Sequence, residues 1–166
     1  MLLQNQPWVV ALIAAHPNQT VVGRTRLQKE VRLLQRLGFP TDYLYSIHFY
    51  GPYSEELQTD LGVIEAFGFI QETECEGRDG SRYYVLKAST SLPPADLEPY
   101  RPQIEHLQRA DAVVLELAAT YDAFREQGDD HSQALERLRR KKGTKCGQGN
   151  EERALALLET LGLPVN

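Results

Sequence analysis

Only two cysteines occur, Cys75 and Cys146, far apart and in no paired motif. That excludes a disulfide framework and suits a reducing compartment. Long apolar runs are missing too. Residues 8–15 are apolar, but the run is too short to span a bilayer and lacks the basic start of a signal peptide. Positive charge is not in excess: the formal net charge of −5 means that the chain as a whole does not attract nucleic acid. No nucleophile elbow, metal-ligand spacing or cofactor fingerprint is present. The expectation is a cytoplasmic protein with no membrane segment, no enzyme activity, no catalytic or metal-binding residues and no cofactor.

What is present is enough for a core. The chain has 166 residues, of which 42% are hydrophobic. That fits one ordinary domain, or one small domain with an appended piece, and buries roughly 70% of the unfolded surface.

Residues 7–16 (PWVVALIAAH) read as a buried first helix, ended by Pro17 and Asn18. Next, Leu27, Val31, Leu34 and Leu37 fall on one helical face. Thr25 is the expected N-cap and Gly38 the residue after the C-terminus. The run YLYSIHFY alternates, with Tyr43, Tyr45, Ile47 and Phe49 on one side. It reads as a short extended segment that Gly51-Pro52 stops. Tyr50, Gly51, Pro52, Tyr53 and Ser54 then form a structural turn. Ser54 caps a third helix, with Glu55 and Glu56 at its positive end and Leu57, Leu61, Ile64 and Phe67 as its buried stripe.

Residues 69–88 read as a β-hairpin around the turn GRDG. The composition of residues 89–94 (STSLPP) is that of a linker. Ile104, Leu107, Ala110, Val114, Leu117, Tyr121 and Phe124 then make one long helical stripe. A shorter helix runs to Gly143, and a last one is capped by Asn150 and ended by Gly162 and Pro164. Three helices end in RLGFP, AFGFI and TLGLP, which is one helix stop used three times. The fold class expected is α+β and mostly helical. A winged-helix-like N-terminal domain with a β-hairpin wing occupies residues 1–90, and a helical C-terminal region occupies residues 91–166.

A resemblance attaches to these motifs. GRTRLQKEVRLLQ, followed by HFYGPYSEEL and GFI, resembles the YwgA-like family of small bacterial and archaeal proteins. The resemblance extends more distantly to antitoxin-related Panacea (SocA-like) domains. It rests on Gly23, Leu27, Gln28, Lys29, Tyr50, Gly51, Pro52, Tyr53, Ser54 and Leu57, and covers roughly residues 5–90. It implies a winged-helix-like fold and no known enzyme activity, and it names no ligand.

Charge divides the functional readings. A winged helix places its third helix in the DNA major groove. Here that helix carries Glu55, Glu56, Asp60 and Glu65, and no Lys or Arg lies between Tyr53 and Glu72. Carboxylates repel phosphates, so these four acids are the candidates for contact with a protein partner. The reading is a non-catalytic regulatory module, antitoxin-like or adaptor, with a protein partner expected. The alternative is a DNA-binding winged-helix regulator using Arg24, Arg26, Lys29, Arg78, Arg82, Arg139, Arg140, Lys141 and Lys142. For the cluster RLRRKKGTK the plainer reading is a solvated helix end, or one that pairs with the acidic stretch from Asp96 to Glu136. Self-association stays open. His131 and Ser132 beside Asp129 and Asp130 read as a helix cap rather than a Ser/His/Asp site.

Overall fold

The computed structural model describes residues 4–89 and 95–166. The apolar stretch too short for a membrane forms α1 (Gln6–Ala14), with proline in its first turn, where its missing N–H costs nothing. Val9, Leu12 and Ile13 of this helix are fully buried. Among the described residues no helix is long and apolar enough to cross a membrane.

A short strand, β1 (Thr20–Val22), follows and was not anticipated, because three residues are too few to show alternation. The next helix, α2 (Arg24–Arg36), carries Leu27, Val31 and Leu34 into the core. Its N-cap is Gly23 and not Thr25, which lies inside the first turn. Gly23 is held there by donating to the Tyr84 carbonyl at 2.7 Å, which fixes the helix start to a neighbouring strand. The shared helix stop is present all three times. Gly38, Gly68 and Gly162 have positive φ, and Phe39, Phe69 and Leu163 donate back to Leu34, Ile64 and Leu158 at 2.9–3.0 Å.

The segment around Gly51-Pro52 departs from expectation. Strand β2 (Ser46–His48) turns at Phe49-Tyr50 and pairs with β3 (Gly51–Tyr53), with Ile47 opposite Pro52 and His48 opposite Gly51. The Gly-Pro pair therefore lies inside a strand. Proline is tolerated because this two-stranded ribbon has no third strand needing its N–H. The alternation inferred for residues 43–49 holds through Ile47 and fails at Phe49, which sits at the hairpin tip and is 77% exposed.

Helix α3 (Glu55–Ala66) starts at Ser54, whose hydroxyl accepts from the Leu57 amide at 3.2 Å. Leu57, Leu61 and Ile64 are fully buried, but Phe67 is 60% exposed. Phe67 is the C-cap, past the last turn that faces the core. Strands β4 (Ile70–Glu76) and β5 (Arg82–Ala88) form the expected hairpin. β1 joins it antiparallel, giving the order β1-β5-β4.

The expected linker falls largely outside the described residues, at 90–94. The single long stripe beyond it is two helices, α4 (Arg101–Arg109) and α5 (Ala112–Glu126). They separate at Ala110, which is extended, and Asp111, whose carboxylate accepts from the Val113 amide at 2.8 Å and so starts a new helix. Helix α6 (His131–Lys142) begins with a capping box of Asp130 and Gln133, as read from the polar run before it. In α7 (Asn150–Leu161) the cap position is Gly149 rather than Asn150, whose side chain instead donates to the Lys145 carbonyl at 2.9 Å.

The architecture is mixed α+β and mostly helical. One hydrophobic cluster joins both ends of the chain, bringing Val31 and Leu57 together with Leu107, Leu117 and Leu158. Helix α5 is its axis: every residue from Val114 to Phe124 is buried, and it packs on α2, β3, α6 and α7.

Candidate functional site

The two separated motifs of the sequence meet across a short distance. Gln28 donates to the Ser54 carbonyl and accepts from the Ser54 amide, both at 2.9 Å. Its side-chain amide acts as a missing strand beside β3. Lys29 donates to the Pro52 carbonyl at 3.0 Å. Leu27 and Leu57 are fully buried in the core beneath them. A helix bearing Leu27-Gln28-Lys29 thus clamps the backbone of Gly51 to Ser54.

The other side of this strand lies against α5. Gly51 has φ +99°, and a Cβ there would sit 2.5 Å from the Thr120 Oγ1 and 3.4 Å from the Lys29 Cε. Only glycine permits both the dihedral and the approach. Thr120 itself donates to the Glu116 carbonyl at 2.7 Å. Glu116, only 6% exposed, pairs with Lys145 at 2.9 Å and Lys142 at 3.4 Å. Lys142 also donates to the Phe49 carbonyl at 2.9 Å, and Lys145 lies 5.3 Å from the Tyr50 ring centroid. Two lysines from the end of α6 thereby hold the hairpin tip.

Lys29 is 2% exposed, and among the described residues no carboxylate lies within ion-pair distance of it. Burial pushes its ammonium down to about 8; Glu116 pulls it up in part, and Lys142 pushes it down further. Lys142 is lowered as well, first by burial. A cleft of about 200 Å³ opens beside Lys29, between Val22, the first turns of α2 and α5, Tyr50 and Lys145.

The chain is 32% identical over 106 residues to the uncharacterized protein YwgA of Bacillus subtilis (strain 168). The matched stretch spans 60% of this chain and 63% of that relative, which is less than two thirds of its length. No family model matches the chain.

The remaining candidates lie on separate surfaces. On α3, Glu55 and Glu56 are exposed beside a cleft of about 500 Å³ that Tyr43, Thr59 and Asp60 also line. Asp60 is committed inward: it accepts from the Tyr43 hydroxyl at 2.6 Å and from Gln6 at 3.0 Å. Glu65 lies 4.0 Å from Arg24.

The nine basic candidates do not form one cationic stripe. Lys29 and Lys142 are interior residues, which keeps both from the backbone of a duplex. Arg24 makes a two-point contact with Glu72, and Arg26 donates to the Leu107 and Ala110 carbonyls. Arg82 pairs with Glu74 at 3.0 Å, Arg139 with Glu151 at 2.7 Å and Arg140 with Glu136 at 2.8 Å. Among the described residues, buried Lys29 and exposed Arg78 and Lys141 are the members of the set without an ion pair. The acidic stretch does pair with the basic cluster, through Glu116, Asp129 and Glu136.

The polar groups by His131 are structural. Asp130 caps α6, and His131 Nδ1 lies 2.7 Å from the Tyr121 hydroxyl. Cys75 and Cys146 are free thiols. Sequence reasoning missed Glu116 and Thr120. The available signal was a carboxylate in the middle of VVLELAATY, an otherwise apolar helical run.

Proposed function

We propose that this protein is a non-catalytic regulatory binding module, antitoxin-like or adaptor, that works through contact with another protein. The observation that carries this reading is the outward face of α3. It presents Glu55, Glu56 and Glu65 with the exposed Phe67 at its end, and no cation. A surface of carboxylates beside an exposed aromatic suits a partner that is basic and partly apolar, and it repels a phosphate backbone. The antitoxin-like part of the reading rests on the sequence resemblance. The test is capture from the native host with and without nuclease, comparing wild type with the Glu55→Lys/Glu56→Lys variant. A partner that survives nuclease and is lost from the variant supports the reading.

One observation favours the alternative of a DNA-binding regulator. Without the β2–β3 hairpin between α2 and α3, the order α1-β1-α2-α3-β4-β5 with β1 beside β5 resembles that of a winged helix, which supports this reading. On that reading β4–β5 is the wing and α3 the recognition helix. Binding would then depend on Arg78 and Lys141, since their neighbours are neutralised within the chain. Sequence-selective binding of a duplex at roughly nanomolar affinity in about 150 mM salt would replace the protein-partner reading with this one.

A further inference from the structure

The cleft beside Lys29 is unlike the rest of the surface. Its volume of about 200 Å³ is on the order of half a dozen waters, which suits a substituted ring. One wall is apolar, made by Val22, Tyr50 and Val113. The charged lining is three cations, Arg26, Lys29 and Lys145, against one carboxylate, Glu116.

The charges around it do not balance. Glu116 on α5 is shared by Lys145 and Lys142 from the end of α6. Glu30, behind α2, is taken by His16 at 2.9 Å and Arg26 at 3.6 Å. Asp111 is used as the cap of α5. Lys29 is left with the Pro52 carbonyl and no contacting carboxylate. The backbone adds to the excess. Gly23 brings no side-chain acceptor to the start of α2, and nothing lies within 4 Å of where its Cβ would be. Gly23, Thr25 and Arg26 line the cleft, so the positive end of the α2 dipole lies beside it.

We propose that this cleft binds a small organic anion, a carboxylate or phosphate carried on an apolar body, with Lys29 and Lys145 meeting its charge and Val22, Tyr50 and Val113 holding the body. The occupant supplies the counter-charge that the fold leaves out. The position also gives it leverage, since Lys29 and Lys145 both contact the β2–β3 hairpin. Binding favours the protonated amine, so affinity is highest below the depressed pKa of Lys29, about 8, and falls as pH rises through it. Glu116 on α5, Arg26 on α2, Lys142 at the end of α6 and Lys145 just beyond it are the other charges facing the amine.

The experiment is calorimetric titration of the full chain with phenyl phosphate, benzoate and inorganic phosphate. Two variants accompany it. Lys29→Gln removes the charge. Ala112→Glu puts a carboxylate at the mouth, on the exposed first residue of α5, where an acid suits the helix dipole and leaves folding intact. The expected result is saturable binding of phenyl phosphate or benzoate, tighter than inorganic phosphate, and weaker by about tenfold at about pH 9.5 than at about pH 7. Preference between the two aromatic probes assigns the anion as phosphate or carboxylate. Both variants lose the binding. The proposal is overturned if none of the probes saturates at millimolar concentration, if inorganic phosphate binds as tightly as the aromatic anions, or if a folded Ala112→Glu variant binds like wild type.

Discussion

Helices α2 and α5 are joined by two polar networks that differ in one respect, and the difference separates structure from candidate site. Toward the C-terminal end of α2, Arg32 and Arg36 face Asp122 and Glu126. The contacts are 3.3 and 2.8 Å for Arg32 and 3.0 and 3.4 Å for Arg36. Two guanidinium groups meet two carboxylates, so the charges cancel. Burial alone would lower the Arg36 guanidinium, but Asp122 and Glu126 together outweigh it and hold the group above its usual value. One turn toward the N-terminus of α2, Lys29 meets a carbonyl instead of a carboxylate, and a cleft lies beside it. A balanced buried network fixes how two helices pack. An unbalanced one has unused affinity for an anion.

The comparison breaks most visibly at Asp122, which is 1% exposed. Asp122→Ala leaves buried Arg32 and its neighbour Arg36 with only the half-exposed Glu126, and the expected loss is about 3 kcal/mol in chemical denaturation. If that variant unfolds no more easily than wild type, the network does not secure the packing of α2 on α5.

Lys29 behaves in the opposite sense. Its folded pKa of about 8 lies below the unfolded value of 10.5, so the unfolded chain binds more protons between them. The penalty for burying this amine is present below about pH 8 and is relieved as pH rises. Wild type therefore gains stability relative to Lys29→Met between about pH 8 and pH 10, by about 2–3 kcal/mol at most. The window stops there because burial also raises the Tyr43 and Tyr45 phenols above their usual values. Parallel denaturation curves across that window show the gain, and a constant difference between the two proteins contradicts it.

Gly51→Ala tests the close approach of the hairpin to α5. Strain at φ +99° and collision with Thr120 cost about 1–3 kcal/mol. Adding Thr120→Ala restores the part due to collision and leaves the part due to the dihedral. A double variant no more stable than Gly51→Ala alone places the whole cost in the backbone. Pro52→Ala is the mildest change, with an expected loss of about 1 kcal/mol through the freer unfolded chain. Unchanged thermal stability combined with lost partner capture assigns Pro52 to a direct contact.

The legible parts of the fold were those written in local chemistry. The stripe of α2, the Ser54 cap, the capping box of α6 and the three glycine stops each depend on residues within a few positions of one another. The β2–β3 hairpin was hidden because its second strand contains Gly and Pro, which locally signal a turn. The division of α4 from α5 was hidden because the apolar period runs through Ala110, while the break depends on one carboxylate at Asp111. In the candidate site, Gln28, Lys29 and Gly51 to Ser54 were visible as motifs. Their partner α5 was not, because Glu116 and Thr120 are distant in sequence.

The sequence by itself determined α1, α2, α3, α6 and α7 in outline, the three glycine stops, the β4–β5 hairpin and the acidic face of α3, because turns, stops and amphipathic periods act over a few residues. Tertiary structure alone decided the meaning of the polar side of α2. Gln28, Lys29, Glu30 and Arg32 look like a solvated face, yet all are buried. Hydropathy records the cost of removing a group from water, not whether another segment replaces that water. Ser54 after the β2–β3 hairpin, His16 after α1 and the carboxylates at the end of α5 supply the replacement for Gln28, Glu30 and Arg32, and leave Lys29 one charge short.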